Sequence, residues 1–122
     1  MEETPTLLVV LRHSPWSGHW FAEGLDAALV GAVFGQKVQL LFLGQGAMGL
    51  IKTHQSSFAS EPAKELASLN SLDMYGIKEL MVQESDLSQL GLTLNHLIDG
   101  VHLIDNIQLR ACFSKADYLL NF

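Results

Sequence analysis

The chain has a single cysteine, Cys112, so no disulfide can close within it, and that usage fits a reducing compartment. Basic residues are few, seven against thirteen acidic ones. Arg12, Lys37, Lys52, Lys64, Lys78, Arg110 and Lys115 are scattered. No basic patch suited to a phosphate backbone is visible, so direct nucleic-acid binding is not expected. Charged residues of both signs make up only 16% of the chain, which points to apolar surface covered by a partner. No apolar run approaches the ~20 residues of a membrane-spanning helix, so no membrane contact is expected. Met1-Glu2-Glu3 lacks the basic start of a secretory signal, and the expected location is cytoplasmic. Repeats, low-complexity tracts and linkers are absent, and residues 1–122 read as one domain.

What is present is material for a core. Hydrophobic residues make up 48% of the 122, enough to exclude a disordered chain and to fold without disulfide or metal staples. The organising stretch is Leu7 to Gly49. Leu7–Leu11 is apolar at consecutive positions, the pattern of a strand covered on both faces, as in a parallel sheet. A loop punctuated by Pro15 and Gly18 follows. A helix from about Ser17 to Phe34 then presents Phe21, Leu25, Ala28, Leu29 and Ala32 on one face. Ser14 or Ser17 is placed to cap it, and Gly35 to end it. Gly24 and Gly31 lie inside it, where glycine costs stability, so they mark a close approach of backbone to the sheet or to another chain. Lys37–Leu43 is the second strand, and the helix is the crossover that a parallel pair requires.

Downstream, Gly44 to Ser60 reads as a long loop with a helical turn near Met48–Lys52. A helix opens at Ser60-Glu61-Pro62 and runs toward Met74, with Gly76 behind it. Glu79–Val82 is a third strand, Ser85–Leu90 a helical turn closed by Gly91, and Thr93–Ile98 a short helix. Val101–Leu103 is a short fourth strand. Asp105 caps a last helix through Phe113, and Tyr118–Phe122 is the closing strand. Alternation of this kind predicts an α/β fold with a mostly parallel sheet of four to five strands.

Four patterns bear on chemistry. Gly44-Gln45-Gly46-Ala47-Met48-Gly49 matches G-x-G-x-x-G behind a strand, the arrangement that lets a pyrophosphate approach a helix N-terminus. It follows the second strand rather than the first, with no acidic strand end about 20 residues on. A turn is therefore the better reading, and no cofactor is expected. His13 and Ser14 follow a strand tip, where a base and a nucleophile belong, but no third residue can be assigned to orient the histidine. The pairs His13/His19 and His96/His102 are six apart, not the i, i+4 spacing of two ligands on one helix face, so no metal is expected. Cys112 falls near the C-terminal end of its helix, where the dipole raises a thiol pKa, and reads as structural. Trp16, Trp20 and Gly24 are the candidate interface residues. Trp is enriched at binding hot spots, with core packing as the competing explanation.

Residue by residue, the chain resembles the TusC/DsrF branch of the DsrE-like sulfur-relay family. The resemblance rests on Arg12-His13-Ser14-Pro15-Trp16-Ser17-Gly18, on Glu23-Gly24-Leu25-Asp26-Ala27-Ala28-Leu29 and on Leu41-Phe42-Leu43-Gly44 with Gly46. It continues through Met74-Tyr75-Gly76-Ile77, Val82, Leu87 to Thr93 and the closing Ala116 to Phe122. It covers nearly the whole chain, and Glu-Gly-Leu-Asp-Ala is its most specific part. It implies a three-layer α/β domain, with helices on both faces of the sheet. It also implies a cytoplasmic subunit assembling with TusB-like and TusD-like paralogues, two copies of each, in a complex that passes persulfide sulfur toward the wobble uridine of certain tRNAs. The Dsr counterpart serves sulfur oxidation.

In the family, the sulfur-carrying cysteine of the TusD/DsrE subunit follows a strand, at the place of Val82-Gln83-Glu84 here. Some TusC-like chains have Cys where Gln83 stands. This chain does not, so the sulfur-bearing role does not carry over. The expectation is a subunit without catalysis of its own, able to self-associate when alone. The competing expectation is a stand-alone enzyme or small-ligand binder using the loops after Leu11 and Leu43.

Overall fold

The computed structural model describes residues 4–52, 69 and 72–122. Thr6–Leu11 forms β1, and all but Thr6 are buried. Such a run is stable only where both faces of the strand are covered, since successive side chains point opposite ways. Leu7, Val9 and Leu11 enter the larger core, and Leu8 and Val10 a second, smaller one.

Helix α1, Trp20–Val33, turns Phe21, Gly24, Leu25, Ala28 and Gly31 inward. It starts three residues after Ser17. Its N-cap is His19, which makes no side-chain cap bond, while Ser17 Oγ donates to the Ser14 carbonyl instead. The expectation of a serine cap is thereby corrected. The other end matches the sequence reading. Gly35 sits at φ 88°, a left-handed conformation that glycine adopts without a Cβ penalty. Its N–H reaches the Ala32 carbonyl, and the Gln36 N–H reaches Gly31, the paired bonds of a Schellman stop.

β2 is Lys37–Phe42, and a 3-10 segment, Gly44–Leu50, follows directly. This coil lies earlier than the expected turn near Met48–Lys52. Most of the expected helix from Ser60 toward Met74 lies outside the described residues. Leu69 and Leu72 join the larger core, and a 3-10 turn, Leu72–Tyr75, precedes Gly76. β3 is Glu79–Gln83 and α2 is Glu84–Leu90, stopped by a left-handed Gly91. The expected helix at Thr93–Ile98 is a 3-10 turn, Leu94–His96, with a Thr93/His96 capping box. β4 is Val101–Ile104 and α3 is Asn106–Lys115. As the sequence indicated, Asp105 caps α3, accepting from the Gln108 N–H. β5 is Tyr118–Asn121.

The five strands lie in the order β4-β3-β2-β1-β5, and every pairing is parallel. The order fixes where the helices go. A right-handed crossover places its helix on a face set by the direction of travel across the sheet. The steps β1 to β2, β2 to β3 and β3 to β4 all travel one way, and α1 and α2 pack on one face, beside Leu7, Val9 and Leu11. The step from β4 to β5 travels back across the sheet, so α3 lies on the other face. There Leu109, Cys112 and Ala116 meet Leu8, Val10, Leu41, Met81 and Ile104. The result is a three-layer α/β sandwich. Among the described residues no helix is long and apolar enough to cross a membrane.

Candidate functional site

In an open parallel sheet the carboxyl ends of the strands gather the loops that can hold a ligand, above all where the strand order reverses. Here the reversal falls between β2 and β5, on either side of β1. The chain leaves β1 as Arg12-His13-Ser14. Arg12 is held by the closing strand. Its Nε donates to Asn121 Oδ1 at 2.7 Å, and its backbone N–H to the Phe122 carbonyl at 2.8 Å. Nothing in the sequence spacing announces this pair, because its partners are 109 residues apart.

His13 stacks on Trp20, with ring centroids 5.5 Å apart and planes 24° apart. Its buried Nδ1 has no hydrogen-bond partner among the described residues. The Ser14 carbonyl accepts from both the N–H and the hydroxyl of Ser17. No hydrogen bond joins His13 to Ser14, so the pair is not arranged as base and nucleophile. Trp16 and Trp20 are 46% and 50% exposed, on the loop and the first turn of α1.

Gly24, the third interface candidate, faces inward. A Cβ built on it would come within 2.1 Å of Leu11 Cδ2 and 3.2 Å of the Phe122 ring. Of the two approaches that the sequence left open for it, the backbone uses the one toward the sheet.

The glycine run behind β2 is spent on the chain's own packing. A Cβ at Gly46 would sit 2.0 Å from the Leu11 carbonyl oxygen, and one at Gly49 would sit 2.2 Å from the Phe21 ring. The Gly44 N–H donates to Asp86 Oδ2 at 2.8 Å, which ties this loop to the first turn of α2. The backbone that a pyrophosphate would have to approach is therefore already against protein.

The position that the family resemblance singled out lies at the end of β3. Gln83 is both the last residue of that strand and the N-cap of α2. Its side-chain amide donates to Asn106 Oδ1 at the start of α3. Gln83, Glu84, Ser85, Ser88, Ile104, Asp105 and Asn106 line a cleft of about 310 Å³. Among the described residues it holds two carboxylates and no cation or thiol. A sulfur anion placed there would meet like charge with no compensating donor of positive sign.

The one thiol is elsewhere. Cys112 is half-buried on the inner face of α3, with its Sγ 3.5 Å from Met81 Sδ. Burial pushes its pKa up, the Glu79 carboxylate pushes it further, and Lys115 pulls it part of the way back. A thiol held protonated is a poor nucleophile. The histidine pairs do not converge either. His96 Nδ1 receives the Thr93 N–H, and His102 lies on edge strand β4. Among the described residues no group of three metal-ligating side chains comes together.

Comparison with known proteins agrees with this architecture. Residues 7–122 match the model of the DsrE/DsrF-like family. The chain is 34% identical over 116 residues to a protein named "Protein TusC homolog" from Pseudomonas aeruginosa, covering 94% of this chain and 96% of the relative. It is 31% identical over 117 residues to a protein of the same name from Vibrio vulnificus, covering 95% and 98%. Among solved structures, the crystal structure of the ychN protein from E. coli superposes with a TM-score of 0.77 at 15% identity, covering 98% of this chain and all of that one. That likeness is one of fold.

Proposed function

The chain belongs to the DsrE/DsrF-like family, and from that premise we propose that it is a structural subunit of a sulfur-relay complex serving thiolation of a tRNA wobble uridine. It carries no relay sulfur itself. Its partners are TusB-like and TusD-like chains, it works in the cytoplasm, and residues 1–122 form one domain. The names of its relatives support the pathway.

One observation carries the structural role. Where a relay thiol would stand at the end of β3 there is Gln83, bonded to Asn106 beside two carboxylates. The only cysteine is packed against Met81, with its thiolate disfavoured. The half-exposed Trp16 and Trp20 supply a surface for a partner. Truncating a hot-spot Trp typically costs at least ~2 kcal/mol of binding.

The decisive experiment supplies a cysteine desulfurase and labelled cysteine and follows reduction-sensitive mass on each subunit. The expected result is label on a TusD-like partner and none on Cys112, with tRNA thiolation unchanged in Cys112→Ser. A stable adduct on Cys112, lost together with thiolation in that variant, overturns the reading. Co-purification provides the second arm. Trp20→Ala should weaken retention of the partner while circular dichroism stays unchanged.

A further inference from the structure

β5 is an edge strand unlike the rest of the sheet. It pairs with β1 on one side only, and all four of its residues are exposed. It carries no Lys and no Pro, the usual protections of an open edge. On the face of α1 a groove of about 720 Å³ runs between helix and strand, lined by Val30, Phe34, Tyr118 and Leu120 among others. Leu119 points to the opposite face, by alternation. Val30, Tyr118, Leu119 and Leu120 keep 40–56% of their surface in solvent, and Phe34 keeps 81%.

Scaled from the ~150–250 Å² that an aromatic side chain can bury, these five expose on the order of 500 Å². A standard interface takes ~800 Å² from each partner, a little over half of it apolar. This edge alone supplies the apolar share.

The hydrogen-bond phase of β5 says what fits it. Just past β5 the Phe122 N–H donates to the Val10 carbonyl and the Phe122 carbonyl accepts from the Arg12 N–H, so both groups point inward. The backbone groups of Tyr118 and Leu120 therefore point inward as well, and those of Leu119 point outward, since direction alternates along a strand. An antiparallel strand related by a two-fold axis at Leu119 sets Tyr118 opposite Leu120 of the second copy, and Leu120 opposite its Tyr118. Leu119, whose groups point outward, meets its counterpart as a hydrogen-bonded pair, and the Tyr118/Leu120 positions become the closer, non-hydrogen-bonded pairs. Their side chains fall on the face of α1, aromatic against aliphatic, a favourable cross-strand pair.

Charge agrees with this register. It sets Asp117 opposite Asn121 of the second copy, and Asn121 is the residue that accepts from Arg12. An acid of one copy thus comes beside a base of the other, and no like charges face each other.

We propose that two copies of this chain dock β5 to β5, antiparallel about Leu119, and so continue the sheet across the pair. This deepens the reading of the chain as an assembling subunit, and it is tested without any sulfur chemistry. A two-fold at Leu119 puts that residue opposite itself in a hydrogen-bonded pair, with Cα atoms ~5.5 Å apart, within reach of a disulfide. Leu119→Cys in a Cys112→Ser background should therefore become a covalent dimer on mild oxidation. Leu103→Cys, on the other edge at β4, should stay monomeric.

By sedimentation, the unmodified chain should have twice the single-chain mass at micromolar concentration. Tyr118→Lys, at an exposed position, should weaken the dimer at least tenfold with circular dichroism unchanged. A monomeric chain, a dimer indifferent to Tyr118→Lys, or equal cross-linking of the two cysteine variants overturns the proposal. Loss of tRNA thiolation is not read in this experiment, so a failure here leaves the relay reading to its own test.

Discussion

The two faces of the sheet are built from the same five strands but to different depths. On one face α1, α2 and the 3-10 segments close over Leu7, Val9, Leu11, Leu40, Phe42 and Val82. On the other, among the described residues, α3 alone covers Leu8, Val10, Leu41, Met81 and Ile104, and none of its own residues is fully buried. Topology causes the difference, since three crossovers travel one way and one travels back. Toward the start of the strands the thinner face turns polar. There Lys37 pairs with Glu79 at 3.5 Å, and Gln39 bonds the same carboxylate. The thick face holds the fold, and the thin face leaves surface over.

The sharpest way to break this contrast is to empty the thick face. Phe42 is fully buried, its ring centroid 6.0 Å from that of Phe21. Phe42→Ala should cost about 3–5 kcal/mol, because three layers of packed groups cannot collapse into the cavity. A urea midpoint shift smaller than that of any thin-face truncation would refute the ordering.

On the thin face, Met81→Ala should cost about 2 kcal/mol, the low end for such truncations. Met81 is already slightly exposed, and α3, with its half-exposed contacts, can settle toward the strand. Equal losses at Phe42 and Met81 in the same urea series would show that the two faces are equivalent after all.

A still smaller effect belongs to the cap of α3. Asp105 satisfies the Gln108 N–H at 2.8 Å, and Gln108 returns a bond to the Asp105 N–H at 3.0 Å. Asp105→Ala should cost about 1 kcal/mol and appear as faster amide exchange at the start of α3 while α1 is unchanged. Exchange that quickens equally in both helices would mean that the loss is global.

Most of the frame was legible because it is local. The consecutive apolar residues of β1 and β2, the face of Phe21, Leu25 and Ala28, the stops at Gly35 and Gly91 and the cap at Asp105 all act within a few residues of themselves. The unread parts are those set by contacts far along the chain. Arg12 meets Asn121 only because β5 returns beside β1, and Gln83 meets Asn106 only because β3 and β4 are neighbours. The glycine run misleads in isolation, since its use against Leu11 and Phe21 becomes visible only in three dimensions. Periodicity finds β5 as an apolar strand, but it does not tell an edge from a centre, and the edge is what leaves Tyr118, Leu119 and Leu120 in solvent.

The smallest effect sits at the seam of the thin face, in the Cys112 thiol. Burial first, then Glu79, raises its pKa above the ordinary value of 9.0, with Lys115 opposing. The folded chain therefore holds that proton more tightly than the unfolded chain does. Its contribution to stability is fully present below pH 9.0 and is lost as pH rises through the higher folded value. Lysines and tyrosines also titrate in this range, so the useful quantity is the difference between the chain and Cys112→Ala. The unmodified chain should lose urea stability relative to the variant only above about pH 9, and its alkylation by iodoacetamide should stay slow at neutral pH and rise late. A difference that is flat from pH 7 to 10.5, or fast alkylation at pH 7, would mean that α3 does not shield the sulfur and that the thin face is thinner than these contacts imply.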